Sequence, residues 1–114
     1  MISVTVHFNR DKEIIGYTMS GHALSGEPGH DLVCASASTL GLAALNTLTD
    51  VCGLEDKTDY EYGDGYLAVH LDSSTCTDQE KEKAEIVFRG YMINIESLVR
   101  QYPENISLLQ EVLE

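Results

Sequence analysis

The chain opens with the stretch Ile2-Ser3-Val4-Thr5-Val6-His7-Phe8, in which every second residue is apolar. That alternation predicts a strand with one buried face and one polar face. A polar turn at residues 10–12 follows, and Ile15, Tyr17 and Met19 then repeat the alternation. The sequence therefore predicts an opening β-hairpin.

Beyond this hairpin, a helix and a second hairpin are predicted. Asp31 is a good N-cap, and apolar residues recur at helical spacing from there to about Asp50, with Gly53 closing the helix. Two strand patterns, 58–62 and 66–71, then flank Gly63-Asp64-Gly65, which is a strong turn signal. Helix and hairpin each have one apolar face, so both are expected to pack on a shared core.

The last third of the chain predicts a long helix and an uncertain tail. Thr77 or Asp78 caps the helix, which extends to about Gln101 and is ended by Pro103. Residues 106–112 fit an added edge strand, which we favour, although a capping box could also begin a helix there. The order ββαββα with a possible final strand predicts an α+β fold in two layers, an antiparallel or mixed sheet carrying two main helices, and residues 1–114 form one domain.

The charge balance bears on possible partners. The chain has 114 residues with 19 acidic and 7 basic ones, a formal net charge of −12. Phosphate would be repelled, so nucleic acid is not expected as a direct ligand. The charge serves either solubility or attraction to a basic protein, and the sequence alone does not choose between the two.

Cysteine usage and hydropathy indicate a compartment. Cys34, Cys52 and Cys76 cannot all pair within one chain and form no CxxC element, which favours free thiols in a reducing environment. The N-terminus lacks the basic start and continuous apolar run of a signal peptide. The richest apolar stretch, 40–48, is too short to cross a bilayer. We expect a soluble cytoplasmic protein that does not act on membranes.

His22 and Cys34 are the residues with the clearest chemical potential. With Asp31 as the cap, Cys34 is the third helical residue, where free N–H groups and the helix dipole favour a thiolate. An imidazole nearby could pair with that thiolate and protonate a leaving amine, and the free N–H groups could hold an oxyanion. His22 reaches the thiol only if the flexible loop with Gly21, Gly26 and Gly29 folds back on the helix.

Other interpretations of these residues stay open at this point. A cysteine in the first turn of an Ala/Leu-rich helix is commonly structural, and a histidine in a glycine-rich loop is commonly just exposed. His22, His30 and Cys34 are ligand types that suit zinc, but no fourth ligand is evident, so no metal or cofactor is expected. His7 and His70 are on polar strand faces, where surface or cross-strand contacts are expected.

One combination of motifs resembles a known family, the ribosomal-processing cysteine proteases called Prp. The residues that carry the resemblance are Gly21-His22-Ala23, then Gly29, Asp31 and Val33-Cys34-Ala35, followed by Ser38 and Leu40. The resemblance implies removal of a short N-terminal extension from large-subunit ribosomal protein twenty-seven. It also implies a homodimer whose glycine-bearing loop moves aside for the substrate.

The resemblance further implies roles for single residues. Cys34 would be the nucleophile, with His22 as general base and acid. Ser38, one helical turn beyond the thiol, would support the dyad by hydrogen bonding. Asp31 would either cap the helix, which we favour, or orient His22. The alternative to this protease is a noncatalytic acidic module that binds a basic ribosomal or other protein.

Overall fold

The computed structural model describes residues 1–21 and 30–113, and within these ranges it contains a five-stranded sheet and two long helices. The elements in chain order are β1 (Ile2–Phe8), β2 (Ile14–Ser20), α1 (His30–Asn46), β3 (Thr58–Gly63), β4 (Tyr66–Leu71), α2 (Asp78–Gln101) and β5 (Ile106–Val112). This order confirms the predicted α+β arrangement, including the final strand.

The sheet is mixed and has the strand order β3-β4-β2-β1-β5. Each neighbouring pair is antiparallel except β1 and β5, which run parallel. The first hairpin carries a bulge between His7 and Phe8. The tail at residues 106–112 therefore becomes an edge strand, because its alternating apolar residues pair along the whole of β1.

Tyr17 joins the sheet to α1 and α2, which both lie on the same face. Its hydroxyl donates a hydrogen bond to the Gly41 carbonyl oxygen of α1 at 2.6 Å. Its ring stacks on Tyr91 of α2 at a centroid distance of 4.0 Å and meets Phe88 edge-on at 6.0 Å. A Cβ at position 41 would lie 2.7 Å from Leu67 Cδ2, so glycine there allows α1 to approach the sheet closely.

The start of α1 differs from the prediction. The helix begins at His30, so Asp31 is its second residue and not the cap, and Cys34 is its fifth residue and not its third. The physical reason is that an acid is favoured by the helix dipole throughout the first turn as well as at the cap. An aspartate alone therefore does not fix which of these positions it occupies.

The end of α1 also differs from a simple helix stop. The regular helix ends at Asn46, and residues Thr47–Val51 continue as one wider turn. The Cys52 N–H donates to the Thr47 carbonyl oxygen at 2.9 Å to close it. Gly53 follows with a positive φ of 71°, a backbone conformation that glycine adopts without strain.

The start of α2 confirms the prediction from its sequence. The Thr77 hydroxyl accepts a hydrogen bond from the Glu80 N–H at 3.1 Å, and a Glu80 carboxylate oxygen accepts one from the Thr77 N–H at 2.8 Å. This reciprocal pair is a capping box. Lys57 adds an ion pair to the same carboxylate, with 2.6 Å between Nζ and Oε1.

The apolar segment that includes most of α1 extends beyond residues 40–48, the stretch richest in apolar residues. Residues 32–51 as a whole are long and apolar enough to cross a membrane by length and composition, a possibility that the shorter stretch 40–48 did not indicate. One side of the segment packs on the sheet, where Val33, Ala37 and Leu48 are fully buried. We interpret it as a core helix because the same residues form part of the hydrophobic core.

Candidate functional site

Cys34 lies in a cleft between the beginning of α1 and the sheet. Among the described residues, the cleft has a volume of about 400 Å³ and is lined by Cys34 and Ser38 from α1, Ile2 and Met19 from the strands, and Tyr62 and Tyr66 from the second hairpin. The thiol is partly exposed, and the apolar residues behind it belong to the core. A partly exposed sulfur in such a cleft is accessible to a peptide carbonyl.

Ser38 shares this cleft with Cys34, as expected of residues four apart on one helix. The free N–H groups of the first turn precede Cys34, because α1 begins at His30. Cβ atoms on a helix tilt towards its N-terminus, so the thiol still leans over that first turn. The N–H groups that could stabilise an oxyanion therefore belong to residues that precede Cys34.

The tip of the second hairpin forms the opposite wall of the cleft. Tyr62 is 64% exposed and Tyr66 is 38% exposed, and Asp64 lies at the tip between them. Sequence reasoning missed this wall, although the tyrosines that flank the Gly-Asp-Gly turn were a usable signal. The wall depends on the pairing of β3 with β4, which brings these residues opposite a helix that begins at His30.

Gly21 fixes the point at which the chain leaves β2. Its N–H donates to the Gly65 carbonyl oxygen at 3.0 Å, so it is tied to the same hairpin tip. Its φ is +131°, and a Cβ would lie 2.5 Å from the Met1 carbonyl oxygen. Only glycine fits here without strain. The chain thus passes along the rim of the cleft immediately before His22.

Several predicted site residues cannot be placed against the thiol. His22, Gly26 and Gly29 lie outside the described residues, so the dyad of His22 with Cys34 stays a prediction. His30 and Asp31 are located only as the first and second residues of α1. Within residues 1–21 and 30–113, no three His, Cys, Asp or Glu residues are grouped as metal ligands would be.

The strand-borne histidines lie apart from this cleft. His7 Nε2 is 2.9 Å from Thr18 Oγ1 across the first hairpin, and His7 Nδ1 is 3.6 Å from a Glu111 carboxylate oxygen. Burial lowers the pKa of His7, and the Glu111 charge partly opposes that effect. His70 is exposed and lies beside His7 in a separate depression. These contacts fit the cross-strand role expected from the sequence.

A partly exposed thiol on a helix, facing an open cleft in a small α+β fold, is the arrangement of a cysteine-dependent hydrolase. The family model described as cysteine protease Prp matches residues 1–107. The ribosomal processing cysteine protease Prp of Bacillus subtilis is 28% identical over 113 residues, which make up 99% of this chain and 100% of that protein. The chain belongs to the Prp family of cysteine proteases.

Solved structures agree with this membership. The Prp protease from S. aureus in complex with a substrate peptide matches with a TM-score of 0.78 and 27% identity, over 96% of this chain and 99% of that one. The same protease with a covalently linked product peptide matches with a TM-score of 0.74 and 28% identity, over the same shares of each chain. Both the predicted fold and the predicted enzyme class are therefore confirmed.

Proposed function

We propose that this chain is an endopeptidase that removes the N-terminal extension of large-subunit ribosomal protein twenty-seven. The observation that carries the proposal is the partly exposed Cys34 in a cleft with an aromatic wall, which is suited to a peptide. Family membership supports the reaction class. The relative from S. aureus, bound to a substrate peptide, supports a peptide as the ligand.

The proposed mechanism assigns one role to each candidate residue. The Cys34 thiolate attacks the scissile carbonyl carbon, and N–H groups of the first helical turn stabilise the oxyanion. Protonated His22 then gives its proton to the leaving amine, which departs and leaves a thioester on Cys34. His22 next takes a proton from water, which hydrolyses the thioester and regenerates the thiolate. Ser38 supports the pair by hydrogen bonding, and Asp31 favours the helix start through its charge.

The direct test is cleavage of the extended ribosomal protein. Wild-type protein should release the extension, and Cys34→Ala should reduce the rate to background while retaining the far-UV circular dichroism of the fold. Cys52→Ala is the matched control, since Cys52 is also partly buried but does not line the cleft, and it should keep cutting. Cleavage that persists in Cys34→Ala would contradict the assignment of the nucleophile.

The alternative function is a noncatalytic acidic module that docks a basic ribosomal or other protein, to which the net charge of −12 is suited. In that case the wild type would bind the ribosomal protein without cutting it, and Cys34→Ala would bind equally well. Under the protease proposal the same charge steers the basic substrate towards the enzyme. Cleavage at low substrate concentration should then slow as ionic strength rises.

We also propose a cytoplasmic homodimer that needs no cofactor or metal and contacts no nucleic acid directly. The free state of Cys34, Cys52 and Cys76 supports a reducing compartment. The dimer is proposed from the resemblance to the family, and light scattering of the purified chain tests it. A monomeric mass at micromolar concentration would contradict this part of the proposal.

A further inference from the structure

The cleft at Cys34 continues beyond Tyr62. On the far side of that tyrosine lies a second depression of about 280 Å³, which Tyr62 also lines. Its other walls include Leu42, Asn46 and Thr49 of the α1 segment and Tyr60 of β3. Positions 38, 42, 46 and 49 recur every three or four residues, so they form one flank of the helical segment. The two depressions thus form one groove between α1 and β3, which we call the α1–β3 groove.

The groove has the length and the borders of a peptide-binding site. From Cys34 to Asp50 the helical segment rises about 24 Å, which equals about seven residues of extended chain. β3 is an edge strand among the described residues, so its outer backbone groups are available to a peptide that adds alongside it. Tyr60 and Tyr62 are 58% and 64% exposed, so both rings are accessible to a ligand beside this strand.

The far end of the groove is acidic. Asp50 and Glu55 both line it there, and both are exposed to solvent. One Asp50 carboxylate oxygen accepts a hydrogen bond from the Thr49 hydroxyl at 2.9 Å, which leaves its charge available. Asp50 and Glu55 thus add a second acidic position beyond Tyr62, separate from Asp64 at the hairpin tip. This far pair complements an extended peptide that carries a basic residue several positions from the scissile bond.

We propose that the α1–β3 groove binds an extended segment of the substrate beyond the scissile bond, with a basic side chain held by Asp50 and Glu55. The proposal rests on the proposed function, because it extends the cleft in which the peptide would be cut. The two acids would select a substrate with a basic side chain at a fixed distance from the thiol. This contact differs from the long-range attraction of a basic substrate to the whole acidic protein.

Binding to the Cys34→Ala protein tests the groove independently of cleavage. The probe is a fluorescein-labelled peptide that spans the scissile bond of the extended ribosomal protein, with a single Lys moved from the third to the ninth residue on either side. Fluorescence anisotropy should give the tightest Kd when Lys lies about seven residues away on one side. The double variant Asp50→Asn/Glu55→Gln should weaken that peptide about fivefold and the others little.

The matched control is Asp11→Asn/Glu82→Gln, which removes the same charge from exposed positions distant from the groove. Equal weakening by both double variants would mean long-range steering and would overturn the proposal. Affinity that does not depend on the Lys position would overturn it as well. Absence of cleavage by the wild type would instead contradict the proposed function, while the anisotropy result would still decide the groove.

Discussion

The two long helices pack on the same tyrosine but differ in what fixes their ends. α2 begins at a capping box, is joined to Lys57 by an ion pair, and stops just before Pro103. α1 begins at His30 and passes at Asn46 into a wider turn. The Tyr17 hydroxyl ties it to the sheet by a hydrogen bond to the Gly41 carbonyl oxygen.

This difference shows that α2 is specified locally and α1 through tertiary contacts. Side chains within four residues of its start define α2, so a short window of sequence is sufficient to predict it. α1 carries Cys34, and its position depends on Gly41, which lets the helix approach the sheet. The position of the thiol is thus governed by packing more than by local sequence, and the predictions below test that contrast.

Removal of the Tyr17 ring should have the largest effect, because it takes away the contact that α1 and α2 share. Tyr17→Ala should lower the free energy of unfolding by about 3–5 kcal/mol, the range for large buried aromatics. Tyr17→Phe loses only the hydrogen bond to Gly41 and should cost about 1 kcal/mol. Urea denaturation measures both changes. Equal losses in the two variants would mean that the hydroxyl, and not the ring, anchors the helices.

The next largest effects on the free energy of unfolding are expected from substitutions at the starts of the two helices. Thr77→Ala should cost about 1 kcal/mol, since it leaves the Glu80 N–H without its acceptor. Asp31→Ala removes an acid from the first turn of α1 and should cost less, about 0.5 kcal/mol, as a dipole effect alone. Denaturation of both variants under identical conditions makes the comparison. A larger loss from Asp31→Ala would restore Asp31 as a capping residue.

The same contrast explains how much could be predicted from sequence. Strand alternation gave the two hairpins and β5, and the Thr77 and Pro103 signals gave both ends of α2. The predicted start of α1 is two residues late, because an aspartate suits several positions of a first turn. The α1–β3 groove arises where distant segments meet, so no local window indicates it, whereas the tyrosines beside the Gly-Asp-Gly turn were a local signal for the hairpin wall. The role of His22 was predicted from the family motif around it, because residue spacing alone does not distinguish a catalytic histidine from an exposed one.

Substitution of a glycine by alanine should change stability in opposite directions in the two helices. Gly90 of α2 has open space where a Cβ would lie, so Gly90→Ala should stabilise the protein by about 0.5–1 kcal/mol through helix propensity. At Gly41 of α1 the added Cβ meets Leu67 Cδ2 at 2.7 Å, so Gly41→Ala should give no gain or a loss. Thermal denaturation of both variants tests this. A comparable gain at Gly41 would show that α1 is not held close to the sheet.

The smallest expected effect is the pH dependence of the stability that Glu80 contributes at the start of α2. The hydrogen bond from Lys57 holds the pKa of Glu80 below its ordinary value, and the Thr77 N–H adds to the effect. Because the pKa is lower in the folded than in the unfolded chain, the stabilisation is present above about pH 4.5 and is lost as pH falls through the folded value. The urea midpoint of Glu80→Gln should therefore lie slightly below that of the wild type at pH 7, and the gap should close at pH 3. Glu82→Gln, two residues further along α2, controls for general loss of an acid from the helix. If the gap in urea midpoint caused by Glu80→Gln were unchanged at pH 3, the ion pair with Lys57 would not contribute to it, and the neutral hydrogen bond of the capping box would hold the start of α2. The start of α2 would then be specified entirely by residues of its own segment.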